Sequence, residues 1–442
     1  MRATTHPQHR YRRVVVWCGA VAVLVSAVPA WNRLTSSLAL GRAQQALRDG
    51  DVELAWRGLQ DLQKAQPRRA DCCYALAVAN RRLGRLDAAF QLLQQAEDLG
   101  WPIEEVTRQR YLARFQAGDI AGTKQYLNRL ITSGVNDETA EEVYEALAKG
   151  YLAEYRPADA VAVLDKWIQW RPDLVQPRVW RAQVYRDVAQ WPAAIPDYRQ
   201  IVELAPESVD HHLDLAEALF LNGDIDEAHQ RYQETRRRFP DELRATVGLA
   251  QCERRLGNAD AARGLLSEAL SRNVTGVLRA NALFELGQLS LDAANADEAA
   301  KHLEEAATIT PNDSRLQYAL GSAYSRLGKE AEALVHFQQA DKITQNHRRI
   351  WKLRQDVVTQ PANVAARFEI ATVLRELGYT ADAYHWFLTV VHLDPQHTAA
   401  RQAAAEIRST LDQQALADAD SPTSGAGDVG ARRFPGPAND RQ

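Results

Sequence analysis

Cysteine is scarce, with four residues in a chain of 442. Cys72 and Cys73 are adjacent, Cys18 lies in an apolar run, and Cys252 stands far from the rest. No C-x-x-C or paired Cys/His spacing occurs, which excludes a zinc ribbon, a dithiol redox motif and a disulfide framework. Cys18 is no lipid-attachment cysteine, because Trp17 precedes it where a small residue is needed. Two neighbouring cysteines on a helix point in different directions, so these thiols read as small packing residues. The eleven histidines also lack ligand spacing. His211 and His212 are adjacent, His385 and His392 are two helical turns apart, and His392 and His397 straddle Pro395. No phosphate-cradling glycine loop, nucleophile elbow or H-E-x-x-H is present. The reading is a chain with no enzymatic activity, no cofactor, no metal and no small-molecule substrate.

A basic excess is also missing. The chain has 53 Lys and Arg against 57 Asp and Glu. A nucleic-acid-binding solenoid needs positive charge against phosphate, so nucleic acid is not the expected partner. Long apolar runs are missing too, with one exception. Residues 14–31, VVVWCGAVAVLVSAVPAW, carry no charge, and Arg2, Arg10, Arg12 and Arg13 precede them. Eighteen helical residues span about 27 Å, just enough for a bilayer core. The positive-inside rule makes residues 1–13 a cytoplasmic basic N-terminus and residues 14–31 a transmembrane signal anchor. A cleaved signal peptide, with Val28-Pro29-Ala30 as the small-residue site, is the rival reading. Both put the remainder outside the cytoplasm, in a bacterial periplasm or its equivalent.

What the chain has in abundance is a repeated spacing. In LGSAYSRLGKEAEALVHFQQA (320–340), Leu320, Gly321 and Tyr324 share one helical face. Gly328 ends that helix, and Ala333, Phe337 and Ala340 form a face of the next. Gly321 and Ala333 lack bulk, so two antiparallel helices can approach there. Corresponding turn residues are Gly50, Gly84, Gly118, Tyr155, Ala189, Gly223, Gly257, Ala294, Gly328 and Gly378. Successive turns lie 34, 34, 37, 34, 34, 34, 37, 34 and 50 residues apart. Most are followed by Ala five residues later, and several by Pro seventeen later. The third unit has the weakest match, with Thr123 in the Ala place. Arg110 and Arg181 occupy an apolar position in the third and fifth units.

This period and these residue types resemble the tetratricopeptide repeat family. The resemblance implies an all-α, right-handed superhelical solenoid of about ten helical hairpins over residues 36–398, preceded by one hydrophobic helix. The 50-residue gap leaves room for an extra helix near 347–360, ended by Pro361. Residues 399–415 read as a capping helix, and residues 416–442, rich in Gly, Pro, Ser and Asp, as a disordered tail.

The family lines its concave face with positions 2, 5, 9, 12 and 13 of each first helix. Carried over, position 5 holds Tyr74, Phe284, Tyr318 and Phe368. Positions 2, 12 and 13 hold Arg81, Arg82, Arg244, Arg254, Arg255, Arg315, Arg326 and Arg375. Aromatic rings and Arg are common interface anchors, and Arg forks onto carboxylates. Arg in the last helical turn also complements the macrodipole without binding anything. The Lys/Asn clamp by which some members hold a terminal carboxylate is not present in any unit. The function implied is a protein-binding scaffold or adaptor, tethered to the membrane through its N-terminal helix, that takes a protein or peptide in the groove. An acidic peptide suits the C-terminal half. Alternatives are an accessory subunit of an extracytoplasmic enzyme or assembly complex, and an exported soluble repeat protein.

Overall fold

The computed structural model describes residues 35–419, and every element among them is helical. The sequence predictions for residues 1–34, including the anchor, and for 420–442 lie outside the described residues. Among the described residues no helix is long and apolar enough to cross a membrane. The chain divides into two compact units, with the boundary after Gly150.

In the first unit, α1 (35–49), α2 (Val52–Ala65), α3 (Ala70–Arg82), α4 (Leu86–Asp98), α5 (Ile103–Gln116) and α6 (Ile120–Thr132) form three successive hairpins. α7 (Asp137–Ala153) follows. Gly150 on α7 is required by close approach: a Cβ there would stand 2.4 Å from the ring of the buried Phe115.

The second unit continues with α8 (Pro157–Trp170), α9 (Gln176–Asp187), α10 (Trp191–Leu204), α11 (Val209–Asn222), α12 (Ile225–Arg238), α13 (Leu243–Arg255) and α14 (Ala259–Ser271). Then come α15 (Gly276–Asp292), α16 (Ala296–Ile309), α17 (Ser314–Arg326), α18 (Glu330–Thr359), α19 (Val364–Glu376), α20 (Thr380–Leu393) and α21 (Thr398–Ala419). Each helix packs on the next, and α11, α13, α15 and α17 also touch one another in sequence. First helices that close together lie on the inside of the curve, as repeat stacking requires.

All ten turn residues predicted from the spacing have positive φ, from Tyr155 at 52° to Gly118 at 96°. At Gly328 the backbone closes with Gly328 N–H donating to Ser325 O and Lys329 N–H to Tyr324 O, both at 3.0 Å. These are the two bonds of a Schellman cap. Tyr155 makes the same pair, to Leu152 O at 3.1 Å and from Arg156 N–H to Tyr151 O at 2.8 Å. A residue with a Cβ in this conformation costs about 1–2 kcal/mol, so Tyr155, Ala189 and Ala294 are held there by the hairpins they join.

Three expectations about segments need correction. There is no separate helix at 347–360. The chain from Glu330 to Gln360 contains neither Gly nor Pro, so α18 runs unbroken for 30 residues, about 45 Å at 1.5 Å per residue. The cap, α21, is longer than 399–415, and residues 416–419 of the expected tail are helical. Its Ala400, Ala403, Ala404 and Ile407 are buried while Arg401, Gln402, Glu406 and Arg408 face water. The polar positions in the two weak units are filled by ion pairs. Arg110 reaches Glu97 at 2.5 Å, and Arg181 bridges Asp165 and Asp197. Cys72, Cys73 and Cys252 are free and buried. Burial pushes the thiols of Cys72 and Cys252 up to about 12, which leaves them protonated and unreactive.

Candidate binding face

In the first unit the inner arginines are built into the protein. Arg81 is fully buried; its Nε donates to Gln109 Oε1 at 2.7 Å and its Nη2 lies 3.7 Å from Glu142. Gln109 in turn donates to both Glu142 oxygens, at 3.0 and 2.9 Å. Arg82 pairs with Glu145 at 2.9 Å and donates to Leu47 O at 2.5 Å. Lys149 donates to the same Glu145 at 2.5 Å. Burial alone pushes the Glu145 carboxyl up, but Lys149 and Arg82 outweigh it and hold the group below the usual range. Tyr74 stacks on Trp101 at 5.0 Å and accepts a hydrogen bond from Arg108 at 3.3 Å. Arg81, Arg82 and Tyr74, expected in an open groove, therefore hold adjacent repeats together. The carboxylates that face Arg81 and Arg82 come from α7, two repeats onward, which one repeat's sequence does not show.

The second unit leaves more surface free. Arg254 is held by Glu285 at 2.5 Å, Arg326 donates to the Leu291 carbonyl, and Phe368 packs between Phe387 at 5.6 Å and His397 at 4.6 Å. Arg244 spans Asp210 and Glu242, each at 2.7 Å. These four are largely committed to neighbouring repeats or to their own helix. Arg375 is exposed, with only a long contact to Glu406 at 3.9 Å and its guanidinium 5.7 Å from the Phe387 ring. Arg255 is exposed over Phe220 at 5.9 Å. Arg315 keeps 66% of its side chain exposed while bound by Asp313 at 2.9 Å, and it lies 5.5 Å from the Phe284 ring. Tyr318, one turn along α17, is 62% exposed. The structure thus brings Phe284 and Arg315 together across α15 and α17, with Tyr318 beside Arg315.

Tetratricopeptide repeat models match residues 40–102, 222–277 and 253–314, and a second such model matches 187–245 and 290–357. Together the matches span more than half of the sequence. The chain belongs to the tetratricopeptide repeat family. No curated protein matches the sequence. Among solved structures, a MamA protein aligns at 20% identity over 39% of this chain and 92% of that one, with a TM-score of 0.30. A tetratricopeptide repeat protein from Parabacteroides merdae aligns at 15% identity over 65% and 98%, with a TM-score of 0.35. The APC/C hetero-tetramer Cut9–Hcn1 aligns at 14% identity over 84% and 83%, with a TM-score of 0.34.

Within this tetratricopeptide repeat array, sequence reasoning missed the acids of the inner face. Asp214 and Glu217 lie one turn apart on α11. Loss of hydration on the crowded inner face pushes both carboxyls up although Glu217 keeps an exposed side chain, and Asp214 repels Glu217 further, while Arg186 from α9 opposes the shift at each. The signal is in the sequence, since Glu217 and Arg186 fall at positions 9 and 12 of their repeats. The inner face is therefore acidic on α11 and basic with aromatics from α13 to α19. The weak third unit leaves an open cleft of about 490 Å³, bordered by Ile103, Arg108, Tyr126, Leu130 and Asn136 among others. No group of His, Cys, Asp and Glu among the described residues is arranged to hold a metal ion.

Proposed function

We propose that this chain is a non-enzymatic scaffold that binds an extended acidic segment of a partner protein along the inner face of its second unit. The observation that carries the reading is Tyr318, a large ring left 62% exposed on a first helix, beside an Arg315 whose guanidinium lies over Phe284. Water gains nothing from an exposed ring, whereas an aromatic anchor with Arg beside it supplies about 2 kcal/mol or more at an interface, roughly thirtyfold in affinity. Arg255 and Arg375 extend the same positive stretch. The acids of α11 set its polarity, disfavouring an acidic segment at that end and orienting it toward α13–α19. The uncharged run 14–31 behind four arginines supports a tether that leaves the repeats on the extracytoplasmic side.

Short fluorescein-labelled acidic peptides carrying one Trp or Leu, titrated into the full-length chain, test the binding. They should bind, and peptides with Lys in place of the acids should not. Equal binding of the two sets, or none of either, would overturn the reading.

A further inference from the structure

We propose that the second unit is held closed on itself by a latch at Glu154-Tyr155, whose release opens the inner face; this rests on the proposed binding face only for its functional consequence. Arg367 on α19 is fully buried. Its Nη2 donates to the Glu154 backbone oxygen at 2.9 Å, across 213 residues of sequence, and lies 3.7 Å from the Glu154 carboxylate. Its Nε donates to Pro361 O at 3.0 Å. The neighbouring Tyr155 places its ring 5.0 Å from that of Trp386 on α20, and the Arg354 guanidinium of α18 lies 5.5 Å from the Tyr155 ring. Tyr155 is thereby packed against the apolar cluster of α18, α19 and α20, which holds Ile350, Ile370 and Phe387. The turn that begins the unit is fastened to the helices that end it.

The turn itself does not call for tyrosine. Seven of the ten equivalent positions are glycine and the other two are Ala189 and Ala294. Tyr155 accepts the left-handed conformation and adds a side chain whose contacts lie on the far side of the unit. The closed state is also opposed from within. Arg367 loses all its water, its Nη1 is buried without a hydrogen-bond partner, and burial lowers its affinity for the proton despite Glu154. Aromatic contact favours closure and guanidinium desolvation disfavours it. A balance of opposed terms is what lets a small perturbation shift a two-state equilibrium.

Tyr155→Gly tests this, because glycine keeps the turn and removes only the latch side chain. Spin labels on Ala158→Cys and Ala365→Cys, with Cys18→Ser and the buried native thiols left unlabelled, report the distance across the closure in the full-length chain without any ligand. The parent should give one narrow, short distribution. Tyr155→Gly should add a longer population and speed amide exchange in α19 and α20 by up to about tenfold, with Ala189→Gly as a control that changes neither. Tyr155→Ala, the residue present at two equivalent turns, should repeat the result if the glycine variant loses helix content. An unchanged distance distribution in a folded Tyr155 variant overturns the latch. Failure of the acidic peptides to bind any variant overturns the proposed function instead and leaves the distance result to decide the latch.

Discussion

Arg181 grips Asp197 with two hydrogen bonds, Nε to Oδ2 at 2.7 Å and Nη2 to Oδ1 at 2.6 Å. The pair ties α9 to α10 at a position where the repeat ordinarily packs an apolar side chain. Asp197 is nearly fully buried, and Arg178 stands 3.9 Å from it. Asp197→Leu alone should cost roughly 1.5–3 kcal/mol, because it removes two charge-assisted hydrogen bonds from a half-buried guanidinium that keeps only Asp165. Arg181→Leu with Asp197→Leu should recover most of that, since two apolar side chains can pack where the ion pair stood. Urea unfolding of the single and double variants measures both. A double variant no more stable than the single one would show that the pair is not separable from its surroundings.

Ala333 is buried where α18 meets α17, in the hairpin whose Gly321 would bring a Cβ within 2.7 Å of Phe337. Ala333→Trp should destabilise that hairpin by roughly 1–3 kcal/mol or more. Repeat arrays lose stability locally, so limited proteolysis should concentrate around residues 310–360. A cleavage pattern identical to the parent's would refute the packing described here.

The two sets of inner arginines should behave oppositely. Tyr318→Ala with Arg315→Ala should weaken acidic-peptide binding at least about tenfold and leave circular dichroism unchanged. Arg81→Ala with Arg82→Ala should instead lower the melting temperature, by removing the buried bond of Arg81 to Gln109 and the Arg82–Glu145 pair and leaving Glu142 and Glu145 only Arg108 and Lys149. Loss of peptide binding from the second pair with no loss of stability would reverse this assignment.

Asp214 and Glu217 predict a pH dependence of defined sign. Their folded carboxyls hold protons to higher pH than the unfolded chain does. Their contribution is fully present below the ordinary carboxylate pKa and is lost as pH rises through the raised values. Asp313, Glu242 and Glu253, held below the usual range, act in the opposite direction and contribute above it. The difference between the parent and Asp214→Asn with Glu217→Gln isolates the first pair. Relative to the parent, the variant should gain stability as pH rises from the acid limb toward neutrality. A difference that is flat with pH would remove the assignment.

A reporter active only in the cytoplasm, fused after Gln414, should be silent if the run 14–31 exports the repeats. Full activity of that fusion would place the repeats in the cytoplasm and end the tether proposal.

How much was legible follows from the range of the interactions. The ten turns could be read residue by residue, even at Tyr155, Ala189 and Ala294 where glycine is missing. A helix end depends on bonds between residues five apart, such as Lys329 and Tyr324, and the period of 34 repeats that local event. The buried thiols were legible from their residue type and spacing. The unbroken α18 was misread, although the absence of Gly and Pro from Glu330 to Gln360 was in plain view.

The status of the arginines was not legible. Arg81, in the last turn of its first helix, and Arg315, in the first turn of its own, both occupy groove positions, and neither repeat's own sequence shows which guanidinium stays free. One is buried against Gln109 and Glu142, 28 and 61 residues onward, and the other remains largely open. The sequence by itself determined the helices, the turns and the period, because those are set by near neighbours along the chain. The tertiary structure decided which charges stay free and that Glu154 meets Arg367, because a charge is neutralised by whatever folding brings within a few ångströms of it, however distant in sequence.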